Sequence, residues 1–142
     1  MNQLSSIHNT GVGKILLMVD RSEDAQTLVR RAFSGLFSDI YTAGRVTEAD
    51  MILREMRPTH LVCEYDMGDS EDGIALTLKW RRMYPELSRV CICSSYHFGD
   101  LRLPNHLDGA YFKGDPLYHL LSALLPSETD TDTVKTRIGG HQ

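Results

Sequence analysis

Short, continuous apolar runs alternate along the chain with segments whose apolar residues recur every three or four positions. The continuous runs are KILLMVD (14–20), DIYTAG (39–44), HLVCEY (60–65), RVCICSS (89–95) and GAYFK (109–113). Runs of this length are typical of strands buried on both faces, as in a parallel sheet. The pattern therefore predicts five strands with a crossover segment between each pair of successive strands.

The first helical segment follows the first strand and has the sequence RSEDAQTLVRRAFSGLF. Ser22 is predicted to cap its N-terminus, because a serine hydroxyl accepts hydrogen bonds from the unpaired N–H groups of the first turn. Glu23 and Asp24 add negative charge where the helix dipole favours it. The predicted inward face consists of Ala25, Leu28, Val29, Ala32, Phe33 and Leu36.

Two further helices are predicted between the second and fourth strands. The first of them, TEADMILREM, has Thr47 as its cap and ends before Pro58, because proline cannot continue a helix. Its predicted inward residues are Ala49, Ile52, Leu53 and Met56. The second of them, GIALTLKWRRMY, follows an acidic loop and is closed by Pro85.

The segments on either side of the fifth strand differ in helical character. Gly99 and Pro104 interrupt the segment YHFGDLRLPNHL, so we expect a short or irregular, mobile element there. The segment DPLYHLLSALL has Asp115 as its predicted cap and Pro116 as its first helical residue. The predicted inward residues of this last helix are Leu117, Leu120, Leu121 and Leu124.

Strands that alternate with helices predict right-handed crossovers and a parallel sheet covered on both faces, which is the α/β class. Residues 1–12 and 127–142 are polar and lack apolar periodicity. Both stretches are expected to be flexible tails, with a linker to another domain as the alternative for the second. A single domain is therefore expected over residues 13–126.

Composition narrows the class of function. The formal net charge is −4 and the Lys and Arg residues are scattered, which argues against direct nucleic-acid binding. Cys63, Cys91 and Cys93 all lie inside apolar runs, a pattern typical of a reducing compartment. No apolar stretch approaches the about 20 residues of a membrane helix, and the histidines lack the spacing of zinc ligands. We expect a cytoplasmic protein without membrane contact.

Chemically useful side chains fall at the ends of the predicted strands. They are Asp20 and Arg21 after the first strand, Glu64 at the third, Ser94 at the fourth and Lys113 at the fifth. In parallel α/β sheets, functional groups collect at the carboxyl ends of the strands. Carboxylates that hold Mg²⁺, a carboxylate nucleophile and donors for phosphate oxygens together suit phosphoryl chemistry.

Taken in order, these pieces resemble the receiver domains of two-component response regulators over residues 13–126. The matching motifs are ILLMVD, PTHLVCEYDM, EDG, VCICSS and GAYFKGDP. The resemblance implies a flavodoxin-like, doubly wound sheet of parallel strands in the order 2-1-3-4-5. It also implies a bacterial signalling module that is not an enzyme. Its implied partners are a histidine kinase, an output domain or another regulator, and a homodimer is one assembly open to it.

The departures from the family pattern bear directly on function. Glu64 stands where the family has its phospho-acceptor Asp, and Arg21 where it has the second acid of a Mg²⁺-binding pair. Arg21 is expected to lie where Mg²⁺ would and to pair with Asp20 or Glu64. Asp20, Ser94 and Lys113 match the pattern, so Asp20 and Glu64 would be the ligands of any metal. We expect weak Mg²⁺ binding at most, and no other cofactor.

The fifth strand departs from the family pattern in length. GAYFK is one residue shorter than the usual spacing, and Tyr111 is the residue that we assign as the family's switch aromatic.

Three functions are open at this point. In the first, Glu64 imitates a phosphorylated Asp by contacting Ser94 and Lys113, and the domain acts as a pseudo-receiver through protein–protein interaction. In the second, the domain is a phospho-accepting receiver that uses an atypical acid, Asp66 or Glu64. In the third, it is a dimerisation or scaffolding domain for an output domain.

The other acids near Glu64 have a smaller expected role. The side chain of Asp66 is expected to point into the loop, and only a strand slip that buries Glu64 at a cost would make it the acceptor. Asp69, Glu71 and Asp72 are expected to form a solvated loop. Their negative charge complements the dipole of the helix that follows.

Overall fold

The strands of the described part of the protein form one sheet. The structure is a computed structural model that describes residues 13–97 and 102–126. Within these residues, five parallel strands pair in the order β2-β1-β3-β4-β5. The strands are β1 (Ile15–Val19), β2 (Asp39–Ala43), β3 (His60–Glu64), β4 (Arg89–Ser94) and β5 (Gly109–Phe112). The predicted flavodoxin-like, doubly wound fold and its strand order are therefore confirmed.

Four helices accompany these strands in the described part of the chain. They are α1 (Glu23–Ala32), α2 (Val46–Met56), α3 (Gly73–Met83) and α4 (Tyr118–Leu124). Residues 102–107 form no regular helix, as predicted, whereas Gly99 and both predicted tails lie outside the described residues. Among the described helices, none combines the length and apolar character needed to cross a membrane.

Two apolar layers cover the two faces of the sheet, because alternate residues of each strand point to opposite sides. One layer is formed with α2 and α3 and includes Leu17, Val19, Leu53, Leu61, Leu76, Trp80 and Ile92. The other is formed with α1 and α4 and includes Leu16, Met18, Val29, Val62, Cys93, Tyr111 and Leu120. The central strands β3 and β4 are buried almost throughout, which explains their continuous apolar runs.

The first and third helices begin where the sequence predicts. The Ser22 hydroxyl accepts a hydrogen bond from the Ala25 N–H at 3.1 Å. The Asp72 carboxylate caps α3 and accepts from the Ala75 N–H at 3.0 Å. Part of the acidic loop therefore serves as a helix cap.

The prediction that Thr47 caps the second helix is wrong. Helix α2 begins at Val46, and its N-cap residue Arg45 makes no capping hydrogen bond through its side chain. Instead, the Glu48 carboxylate accepts from the Gly44 N–H at 3.2 Å. The first-turn acid Glu48 thus reaches back to the backbone that precedes the helix, as the acid of a capping box does.

The prediction that Asp115 caps the last helix, with Pro116 as its first residue, is also wrong. The Asp115 N–H closes a turn onto the Phe112 carbonyl at 2.9 Å, so this backbone belongs to the turn that follows β5. The His119 N–H then bonds to the Pro116 carbonyl at 3.0 Å. This tight turn delays the start of α4 to Tyr118.

Three residues assigned to inward helix faces are exposed. Leu28 and Met56 are 55% and 45% exposed, and Ala32 is also exposed. Few residues of these two helices are fully buried: Val29 on α1, and Ala49 and Leu53 on α2. Apolar residues beside these buried ones satisfy the helical period without reaching the core.

Candidate functional site

The fold brings the predicted strand-end residues together at the carboxyl edge of the sheet. Asp20 and Arg21 follow β1, Glu64 ends β3, Ser94 ends β4 and Lys113 follows β5. Strands β1, β3 and β4 are neighbours in the sheet, and β5 pairs with β4. The parallel register thus places these side chains side by side.

Lys113 lies between two carboxylates. Its Nζ is 2.8 Å from Asp20 Oδ2 and 3.3 Å from Glu64 Oε2. Asp20 is fully buried and Glu64 is 8% exposed. Burial by itself lowers the pKa of Lys113, but the hydrogen bond to Asp20 and the surrounding negative charge outweigh it, so the pKa is raised. The ammonium therefore carries its full charge at neutral pH.

Both carboxylate oxygens of Asp20 accept from protein donors. Its Oδ1 accepts from the Ser22 N–H at 2.8 Å, and its Oδ2 accepts from the Cys93 thiol at 3.4 Å as well as from Lys113. Burial and the adjacent Asp20 charge raise the pKa of Cys93, so the thiol stays protonated and remains a donor. The Gln26 amide donates to the backbone carbonyl of Asp20 at 2.6 Å and fixes the strand end.

Arg21 holds the second oxygen of Glu64. The Arg21 backbone N–H donates to Glu64 Oε1 at 3.0 Å, and the side-chain Nε–H donates to the same oxygen at 3.4 Å. Arg21 Nη2 lies 3.7 Å from Asp66 Oδ2. Of the two expected partners, Glu64 is therefore the one in contact, and no ion pair joins Arg21 to Asp20 in the described residues.

Ser94 lies at the site but bonds elsewhere. Its Oγ accepts from the Tyr96 N–H at 2.9 Å. Within the described ranges no hydrogen bond joins Ser94 to Glu64, so the expected contact of Glu64 with both Ser94 and Lys113 is made to Lys113 alone. Ser94 and Glu64 both line a cavity of about 90 Å³, together with Arg21, Asp66, Ser95 and Tyr96.

The donor set of this site does not fit a divalent cation. Mg²⁺ requires oxygen ligands free to point at it in near-octahedral geometry. Both oxygens of Glu64 already face a cation, and both oxygens of Asp20 accept from protein donors. Lys113 and Arg21 balance the charge of these two carboxylates. Across the described ranges, no group of three or more His, Cys, Asp or Glu side chains is arranged to hold a metal ion.

Tyr111, the assigned switch aromatic, points into the core beside the site. It is 7% exposed, and its O–H donates to the Asp115 carbonyl at 2.8 Å. Burial and the nearby Asp115 charge raise its pKa, so the phenol is neutral at neutral pH. The ring is thus held inward by packing and by a hydrogen bond; whether it switches stays a prediction.

The other acids of the loop are exposed. Asp66, which was expected to point into the loop, accepts from the loop N–H of Gly68 at 3.0 Å through its Oδ1. Glu71 pairs with Lys79 of α3 at 3.2 Å, and Asp69 is exposed.

Three contributors to the site were missed by the sequence reasoning. Cys93 and Gln26 hold Asp20, and Gly68 lies against Arg21. In the sequence, Cys93 was interpreted only as an apolar residue of a strand. Gly68 carried the one usable signal, because a glycine beside an acidic residue is typical of a turn.

Solved structures of response regulators and their receiver domains share this fold. RcsB from Salmonella enterica serovar Typhimurium, bound to promoter rprA in the presence of the phosphomimetic BeF3⁻, has a TM-score of 0.67 at 14% identity over 78% of this chain and 65% of that chain. A response regulator from Burkholderia pseudomallei with a phosphorylated aspartic acid, calcium ion and citrate has a TM-score of 0.66 at 17% identity over 86% of this chain and 72% of that chain.

A stand-alone domain gives a similar match. The N-terminal signal receiver domain of a two-component response regulator from Bacteroides fragilis has a TM-score of 0.66 at 20% identity over 78% of this chain and 93% of that domain. The chain spans less than two thirds of the RcsB chain that it matches. No family model matches the sequence, and no curated protein matches it. The likeness therefore shows that the chain has the receiver-domain fold.

Proposed function

We propose that this protein is a receiver-like signalling module that acts by protein–protein interaction without being phosphorylated. The observation that carries the proposal is the position of the Lys113 ammonium, 2.8 Å from Asp20 and 3.3 Å from Glu64. A phospho-accepting site would need such an ammonium to hold a phosphoryl oxygen as charge develops on it. Here Glu64 engages it in the resting protein.

Glu64 is also a poor phosphoryl acceptor. Its additional methylene moves the carboxylate by about 1.5 Å relative to Asp, since this is the length of one C–C bond. A misplacement of about 1 Å can lower the rate of a positioned reaction about a hundredfold. The Arg21 backbone N–H donates to the other oxygen at 3.0 Å, so both carboxylate oxygens are held in place by donors and their negative charge is partly neutralised. These contacts support a site fixed in one state.

The proposal also states which classes of protein the module binds and in which cellular setting it acts. A histidine kinase, an output domain or another regulator would bind the fixed surface, and a second copy of the chain is the further candidate. The module needs neither bound Mg²⁺ nor enzymatic activity. Cys63, Cys91 and Cys93 are all free and buried, which supports a reducing, cytoplasmic setting.

Backbone amide spectra test this proposal. Glu64→Gln keeps the shape of the side chain and removes its charge, so the resonances of Lys113 and Arg21 should shift. Glu55→Gln, an exposed acid on α2, is the matched control and should leave them in place. Addition of Mg²⁺ and acetyl phosphate should leave the wild-type spectrum unchanged. A wild-type spectrum that changes at β3, β4 and β5 on addition of the phosphodonor would contradict the proposal.

A phospho-accepting receiver is the second candidate, and the exposure of Asp66 favours it. The Asp66 carboxylate is 61% exposed and lines the same small cavity as the hydroxyl-bearing residues Ser94 and Ser95. Asp66 also lies 3.7 Å from Arg21, a cation able to bind a phosphoryl oxygen. In this candidate, Asp66→Asn would abolish phosphorylation and Glu64→Gln would not.

A further inference from the structure

Gly68 lies directly against the guanidinium of Arg21, in the loop between β3 and α3. A Cβ at this position would lie 2.9 Å from Arg21 Nη1 and 3.8 Å from Cζ. The first of these distances is shorter than van der Waals contact allows. The φ of Gly68 is +75°, a left-handed conformation that most side chains disfavour. Because Gly68 has no Cβ, it leaves space for the Arg21 guanidinium. It also adopts a backbone conformation that most other residues would disfavour.

The loop that carries Gly68 is fixed by contacts that do not involve Arg21. Met67 is 5% exposed and packs in the layer of α2 and α3. The Gly68 N–H donates to Asp66 Oδ1 at 3.0 Å, and the Gly73 N–H donates to the Tyr65 carbonyl at 2.7 Å. A side chain at position 68 would consequently push the flexible end of Arg21 away before it moved the loop.

We propose that Gly68 is a positioning residue that admits the Arg21 guanidinium to the site, where it serves as a permanent cation beside Glu64 in place of a divalent metal. Asp66 assists from the exposed side, and its pairing at 3.7 Å is weak because both side chains are largely solvated. The inference rests on the proposed function for its signalling consequence, but the arrangement of Arg21 can be tested without any partner.

The test uses variants that separate backbone strain from the contact with Arg21. Gly68→Asn adds a Cβ while tolerating positive φ, since Asn adopts the left-handed region more readily than other residues. Gly35→Asn is the matched control, because Gly35 has a φ of +86° and a Cβ there would meet nothing within 4 Å. Gly68→Ala adds the smallest Cβ as a second variant.

The primary measurement is the Nε–Hε signal of Arg21 in NMR spectra of the full chain. This proton donates to Glu64 at 3.4 Å, so it should be detectable in the wild type and in Gly35→Asn. It should be lost or shifted to the position of a solvated arginine in Gly68→Asn and Gly68→Ala. An unchanged Arg21 signal in both Gly68 variants would overturn the proposal, although the proposed signalling function would still stand.

Thermal unfolding provides the second measurement. Gly68→Asn should lower the melting temperature more than Gly35→Asn does, and this excess should disappear when both are made in an Arg21→Ala background. An excess that persists without Arg21 would show that Gly68 serves the loop alone and would overturn the proposal. Because neither measurement uses a phosphodonor, failure of the proposed function leaves this test unaffected.

Discussion

The charge of Lys113 compensates that of Asp20, a fully buried carboxylate 2.8 Å from its Nζ. Lys113→Met removes the cation and leaves that carboxylate without charge compensation. Removal of one partner from a buried ion pair costs about 3–5 kcal/mol, and we expect an unfolding free energy lowered by about that amount in urea titrations. Lys79→Met is the control, because Lys79 and Glu71 form an exposed pair that contributes about 0–1 kcal/mol.

The pH dependence of this effect has a defined sign. The pKa of Lys113 is raised in the folded state above its ordinary value of 10.5. The contribution of the Lys113 charge to the unfolding free energy is therefore complete below about pH 10.5. This contribution is lost as the pH rises through the folded-state pKa. The stability difference between the wild type and Lys113→Met should be constant from pH 6 to pH 9, about one and a half units below that value, and shrink at higher pH. A difference that grows with alkaline pH would contradict this pairing.

The positions of some site residues could be predicted from the sequence, whereas the contacts of others could not. Asp20, Glu64 and Lys113 were predictable, since each follows or ends a continuous apolar run and parallel strands end at one edge. The hydrogen-bond partner of Ser94 was not predictable, because the backbone N–H of Tyr96 competes for the same hydroxyl and only the folded loop decides between them. The contact between Gly68 and Arg21 depends on the same kind of loop detail.

Among the larger elements, the irregular connection before β5 depends on Arg81 of α3. Its guanidinium donates to the His106 carbonyl at 2.6 Å, to Asp108 at 2.8 Å and to the Ser88 carbonyl at 3.1 Å. Asp108 in turn accepts from the Val90 N–H at 2.8 Å. A single side chain thus links the connection to two other parts of the fold.

Arg81→Ala should lower the unfolding free energy by about 1–3 kcal/mol, because it removes a donor from the His106 and Ser88 carbonyls and one of the donors of Asp108. It should also speed hydrogen exchange in residues 102–108. Arg82→Ala removes the same charge from an exposed neighbour and should change the stability by less than about 0.5 kcal/mol. Equal effects of the two variants in chemical denaturation would show that the Arg81 contacts are unimportant.

Helix boundaries were less predictable than helix existence. The cap at Ser22 followed from its hydroxyl, whereas α2 starts at Val46 without a side-chain cap and α4 starts at Tyr118 after a proline-containing turn. Several residues near each helix start can accept the same N–H groups, so composition alone does not choose between them. Leu28 is exposed for a different reason. The apolar period predicts which side of the helix faces the sheet, but it does not predict how many residues on that side are buried.

For the whole molecule, the fold could be predicted mainly from the order of strands and helices along the chain. Alternation of strand and helix, with the handedness rule for crossovers, restricts the sheet to few topologies, and the resemblance selected the one observed. Function is a separate matter, because one fold supports many functions and function has to be argued from the residues of the site. The proposed function therefore rests on the contacts of Glu64 and Arg21.

The central claim is that Glu64, held by Lys113 and Arg21, makes this site independent of phosphorylation. The most direct test is the intact mass of the protein after incubation with Mg²⁺ and acetyl phosphate. The wild type should show no added phosphoryl group, whereas a double variant, Arg21→Asp with Glu64→Asp, should gain one because it restores both an acid pair and an Asp acceptor. A wild-type protein that gains a phosphoryl group in the same incubation would contradict the claim.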